Sequence, residues 1–158
     1  MDGLPDLDSR TQIHGLVVDF YREIVFDDLL SHVFVEVAEV DWSAHIPKLV
    51  DYWCRVLLGQ PGYDGAFLAA HRDVHDREPF TRDHFDRWYG LWVETVDARW
   101  CGPFADAAKA HAARLMSVLS HRLLDAEWHP PEADRSTQEP ITPVRTAPVR
   151  TLPTRNGS

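Results

Sequence analysis

Apolar residues recur through this chain with a helical period, and the repetition leaves little room for any fold but an all-helical one. Ile13, Leu16, Val17, Phe20, Tyr21, Ile24 and Val25 fall at i, i+3, i+4 and i+7 spacing, the stripe of an amphipathic helix over residues 11–27. A second stripe joins Trp42, Ile46, Leu49, Trp53, Val56 and Leu57 and ends at Gly59. Pro47 is tolerated only near a first turn, so this helix is expected to begin near His45. Thr81 is a plausible N-cap for a third helix carrying Phe85, Trp88, Tyr89, Trp92 and Val96, which Cys101-Gly102-Pro103 breaks. A fourth, from about Phe104 to Leu124, shows Phe104, Ala108, Ala112, Leu115, Val118 and Leu119.

Two stretches are less regular. DDLLSHVFVEVAEVD holds β-branched residues, but no partner strand exists elsewhere, so it reads as short helical turns. QPGYDG is a loop, after which the short apolar stretch AFLAAH runs into the polar RDVHDREP. Four substantial helices are therefore expected, with a loosely structured section between the second and third.

A chain of 158 residues with 44% hydrophobic content suits one domain with one buried core, placed here over residues 11–128. Residues 1–10 read as a flexible leader. Residues 129–158 hold six of the 11 prolines and almost no large apolar side chains, and TPVRTAPVRTLPTR is a crude Pro/Thr/Arg repeat. Such a segment buries too little surface to offset its ordering entropy, so a disordered tail is expected.

A net charge of −9 argues against nucleic acid and anionic membrane surfaces as partners. No apolar run is long enough to span a bilayer. The opening MDGLPDLDSR is acidic and has no apolar centre, so it does not read as a signal peptide. Cys54 and Cys101 are not in CxxC spacing, which fits reduced thiols and a cytoplasmic setting.

Histidines and aromatics are the residues with chemistry to offer. His71 and His75 form an HxxxH pair that places two imidazoles on one helical face, a spacing that serves zinc. Arg72 stands where a metalloprotease has its glutamate, and no third ligand is obvious nearby. Haem asks for one imidazole, a wide apolar slot and a wall of hydrogen-bond donors. The Tyr21 phenol, the His45 imidazole and the Trp88 indole N–H are such donors, each on a different expected helix. Aromatics at helical spacing also serve simply as core.

The order and spacing of these residues resemble the truncated haemoglobins, group III most closely. Phe20-Tyr21 is similar to the family's Phe-Tyr on its B helix, and Phe34 to the phenylalanine that wedges against the haem. DWSAHIPKLVDYW puts His45 at the distal position, Leu49 one turn on, and Tyr52-Trp53 at a further aromatic pair. LLGQPGYDG resembles the group III E–F connection, and FLAAH puts His71 at the proximal position. HFDRWYGLW resembles the start of the G helix, with Trp88 as the distal-pocket tryptophan. The Gly-Gly motifs of groups I and II are absent, as group III requires. The stretch RDVHDREPF is longer than the family's usual connection and contains His75. Counting forward from the E helix favours His71 on the iron; counting back from Trp88 allows His75.

The resemblance implies a two-on-two helical sandwich enclosing haem b. His71 would hold the iron, with Tyr21, Trp88, His45 and Leu49 lining the ligand side and Phe20, Phe34 and Trp53 walling the pocket. His75 and Arg72, or Arg77, would then reach a haem propionate. Small ligands such as O2, NO and CO are implied, with oxidation of nitric oxide or peroxide activation as candidate chemistries, both needing an unidentified reductase. Oxygen storage, delivery or sensing suits the same fold, which does not by itself decide whether the protein is an enzyme. The competing class is a haem-free helical protein that docks a partner through its tail.

Overall fold

The computed structural model describes residues 3–63 and 65–131. The chain runs α1 (Arg10–Phe26), α2 (Asp28–Ser31), a π-helical stretch (His32–Val37), α3 (Trp42–Leu58), α4 (Phe67–Arg77), α5 (Arg82–Arg99), α6 (Pro103–Leu119) and a second π-helical stretch (Ser120–Leu124). Among the described residues there is no strand. The segment with β-branched residues after α1 is helical, as its lack of a partner strand required.

Side-chain caps set several helix starts. Ser9 Oγ accepts from Gln12 N at 3.3 Å, and Asp27 Oδ1 accepts from Leu29 N and Leu30 N at 3.1 and 2.9 Å. Asp41 Oδ1 accepts from Ser43 N at 3.0 Å and starts α3 at Trp42, upstream of the expected start near His45. Pro47 therefore lies inside α3, where its missing N–H costs one intrahelical bond. Gly59 ends α3 in the left-handed region at φ 67°, where a Cβ would be strained.

α1 packs on α3 and α5 on α6, and the two pairs meet through α1 against α5 and α3 against α6. This is a two-on-two helical sandwich. Its main core gathers Ile13, Leu16, Val17, Phe20 and Ile24 of α1 with Val50, Trp53 and Cys54 of α3 and Trp92 and Val96 of α5. A second cluster holds Phe85, Met116, Leu119 and Trp128.

Two expectations change. The section between the second and third long helices is not loose: α4 spans eleven residues and takes in FLAAH and most of RDVHDREP. The described part of the leader is tied down rather than free. Leu7 is fully buried, Cys101 N donates to Pro5 O at 2.9 Å, and Asp6 accepts from Phe104 N and Ala105 N, capping α6 from outside it. The Pro/Thr/Arg tail lies, from residue 132 onward, outside the described residues. Among the described residues, no helix is long and apolar enough to cross a membrane.

Candidate functional site

The two helix pairs do not close on each other everywhere. Between them lie two adjoining cavities of about 250 and 200 Å³, which share Phe34, His45, Ala70, His71, Trp88, Met116 and Leu119 in their walls. Together they fall within the range of small-molecule and cofactor sites, roughly 300–1,000 Å³. α4 carries no buried residue although Phe67, Leu68, Ala70 and Val74 are apolar. Phe67, Ala70 and Val74 line the cavities, and Phe67 also stacks on Tyr52 at 5.8 Å.

His71 stands on α4 in the wall of both cavities. Its Nδ1 lies 2.8 Å from Phe67 O, one turn back on the same helix, so the ring proton sits on Nδ1 and donates there. The Nε2 lone pair is left basic. Burial holds His71 below the usual histidine pKa, which keeps the ring neutral. A neutral imidazole oriented through its other nitrogen is the form in which histidine ligates a metal.

His45, near the start of α3, has a buried Nε2 with no hydrogen-bond partner. Burial, then the neighbouring His71 and Lys48, push its pKa down to about 4. A buried polar atom left unpaired costs about 1–3 kcal/mol, so an unpaired nitrogen in a cavity wall marks a place where a ligand would supply the missing bond.

The aromatic wall is built around Tyr21. Its ring meets Phe20, Phe34 and His45 edge-on at 5.1, 5.6 and 5.4 Å between centroids, with Trp42 tilted at 5.2 Å. Burial raises the phenol pKa above its ordinary value, so the hydroxyl keeps its proton and remains a donor. Tyr21, Leu49 and Trp53 line the second cavity, while Phe34 and Trp88 line both.

Seven of the residues picked out from the sequence thus come together: Tyr21, Phe34, His45, Leu49, Trp53, His71 and Trp88. Three do not. Phe20 lies beneath the wall in the core, edge-on to Trp88 and Trp92 at 5.2 and 5.0 Å. His75 lines neither cavity; its Nδ1 accepts from Phe80 N at 2.9 Å and its ring stacks on Phe80. Arg72 is exposed and lines neither cavity. Arg77 donates to Val37 O and to Asp73, fastening α4 to the first π-helical stretch.

Sequence reasoning passed over Lys48, which lies in the wall of the second cavity. Its three-residue spacing from His45 on α3 was a usable signal. It also passed over Met116 and Leu119 of α6, which looked like plain core, and His84, whose Nδ1 caps α5 by accepting from Thr81 N at 2.9 Å. An apolar slot between helices, an imidazole with a free Nε2, an orphaned facing nitrogen and a cation in the wall form a donor set that fits haem.

No protein-family model matches the chain. In sequence it is 27% identical over 92 residues to a group 3 truncated hemoglobin of Campylobacter jejuni, a match covering 56% of this chain and 70% of that protein. In structure it is similar to the crystal structure of a group III truncated hemoglobin from Campylobacter jejuni, with a TM-score of 0.65 and 24% identity, over 73% of this chain and 91% of that one. The chain has the truncated-globin fold, and the proteins it is similar to, in sequence and in structure, are group III truncated haemoglobins.

Proposed function

We propose that the protein binds haem b between its two helix pairs and uses it to bind diatomic gases. The observation that carries this reading is the pairing of His71, oriented by Phe67 O and neutral, with the unpartnered His45 Nε2 in one apolar slot. Bound there, haem would supply a ferrous iron able to bind O2, NO or CO.

His71 Nε2 is the iron ligand in this reading, with His75 committed to the turn before Phe80. Tyr21 O–H, Trp88 N–H and His45 N–H are the donors for a negatively polarised ligand. His45 also serves as a gate, since its nitrogen has no bond to break before it moves. Phe34, Trp53, Leu49, Met116 and Leu119 exclude water from the slot. Lys48 is the cation available to a haem propionate, with Arg72 and His75 as outer candidates.

Strong retention of oxygen by three donors suits oxidation of nitric oxide or peroxide activation better than oxygen delivery. Either reaction would need electrons from an unidentified reductase. The free thiols of Cys54 and Cys101 accord with a reducing cytoplasm. Hemin titration of the purified protein tests the reading. A Soret band that saturates near one hemin per chain, and moves when CO is added after reduction, is the expected result. A protein that stays colourless with hemin overturns it in favour of a haem-free interaction protein.

A further inference from the structure

Two ties join the walls of the first cavity from outside. Val33, Phe34 and Val40, in and just after the first π-helical stretch, form part of one wall; Ala70, His71 and Val74 of α4 form part of another. Arg77, at the end of α4, donates to Val37 O at 3.1 Å. His32, which opens the π-helical stretch, makes the second tie. Its Nε2 lies 2.7 Å from Glu78 Oε2, just past α4, and its Nδ1 lies 2.7 Å from Glu36 Oε2 on its own element.

The two ties differ in chemistry. A guanidinium keeps its charge at any ordinary pH, whereas an imidazole does not. An ionised carboxylate can only accept, so an imidazole held between two of them must donate through both nitrogens. Only the imidazolium has both protons. The neutral ring has one N–H and must give up one partner.

We infer that His32 is a pH-sensitive latch on the slot: protonated, it clamps the π-helical stretch to the end of α4, and deprotonated, it frees that part of the wall. The latch acts on the wall whatever the slot holds, so it stands apart from the haem reading.

The clamped segment is built to move. π-helical turns are rare and gather at functional sites. Here Ala38 N donates to Val33 O at 2.8 Å and Val40 N to Phe34 O at 3.0 Å. Between them Glu39 takes a left-handed φ of 48°, a strained choice for a residue with a Cβ. Phe34 would carry a shift of this segment inward. Its ring meets Tyr21 at 5.6 Å and His45 at 6.3 Å, and all three line the second cavity.

Glu78 first, then Glu36, raise the His32 pKa above the ordinary 6.5. His84 of α5 also feels Glu78, with Asp83 and His32, but burial holds its pKa below the ordinary value. Burial lowers His45 and His71 as well. Arg77, next to Glu78, is turned to Asp73 and Val37 O. Above pH 6.5, therefore, His45, His71 and His84 are neutral and His32 is the one of the four still to lose its proton. The clamp is complete below 6.5 and is lost as pH rises through the raised value.

Amide hydrogen exchange of the full chain tests the latch, read as protection factors so that the intrinsic pH dependence of exchange divides out. The reporters are Ala38 N–H and Val40 N–H in the clamped segment and Glu78 N–H, which donates to Val74 O at the end of α4. Between pH 6.5 and about 9 their protection should fall by roughly two- to fivefold, the scale of one exposed charge-assisted tie. Trp100 N–H, bonded to Val96 O at the far end of α5, should hold constant. His32→Gln should flatten the pH dependence of the three reporters. A merely structural role for His32 would instead lower their protection equally at every pH. Proton NMR of the His32 ring gives a second reading on the unmutated chain: it should titrate above 6.5, and lower in Glu78→Gln. A ring that titrates at or below 6.5, or reporters with the same pH dependence in wild type and His32→Gln, overturns the latch and leaves the haem reading untouched.

Discussion

His45 on α3 and His71 on α4 line the same two cavities, and burial keeps both imidazoles neutral. Their nitrogens are in different states. His71 has one nitrogen tied to Phe67 O, whereas His45 has a buried nitrogen tied to nothing. A fixed imidazole and a loose one facing a single apolar slot make an asymmetric site, with one side built to hold and the other built to respond.

That asymmetry has a pH signature in the haem-free protein. His45 titrates at 6.5 unfolded and at about 4 folded. Between these values the unfolded chain binds the proton and the folded chain does not, so stability falls as pH drops through the window. Above it both states are neutral at this position and the contribution vanishes. Thermal unfolding of wild type and His45→Phe across this range checks the point. The wild type should lose more stability on acidification than the variant, and parallel curves would show that His45 is not desolvated.

Tyr21→Phe should speed oxygen release from the haem-loaded protein. A hydrogen bond to a charged or strongly polarised partner contributes about 1.5–3 kcal/mol, which is about one to two decades in dissociation rate if it is lost from the bound state alone. Stopped-flow displacement of oxygen by CO reads the rate directly. An unchanged rate would remove Tyr21 from the donor set and leave Trp88 and His45 to carry it.

Asp6 caps a helix nearly a hundred residues away, accepting from Phe104 N at 3.1 Å and Ala105 N at 2.8 Å. Gly102, in the left-handed region, makes room for it: a Cβ there would come within 2.5 Å of Asp6 Oδ2. Asp6→Ala should cost roughly 0.5–2 kcal/mol, the ordinary range for a lost N-cap. Denaturant unfolding measures it. No loss of stability would mean the N-terminal segment contributes nothing to the fold.

The long helices were legible because their stripes face packed neighbours: Ile13, Leu16, Val17, Phe20 and Ile24 are all fully buried in α1. α4 was not legible, for a reason tied to function. Phe67, Ala70 and Val74 line the cavities, no residue of α4 is buried, and the stripe is short. Tyr21, His45, Trp88 and His71 could be picked out because spacing along regular helices places them. Lys48 was hidden by its charge, which reads as an exposed face. The packing of Leu7 and the reach of Asp6 depend on contacts that local periodicity does not encode. The choice between His71 and His75 could not be made by counting. It turns on which ring lines the slot and which is held by Phe80 N.

The central claim, that His71 holds haem in this slot, is tested most directly by the Soret absorbance of wild type, His71→Ala and His75→Ala after equal hemin loading. Wild type and His75→Ala should take up haem. His71→Ala should lose it or hold it weakly, with added imidazole restoring the wild-type spectrum. Loss confined to His75→Ala would contradict the assignment.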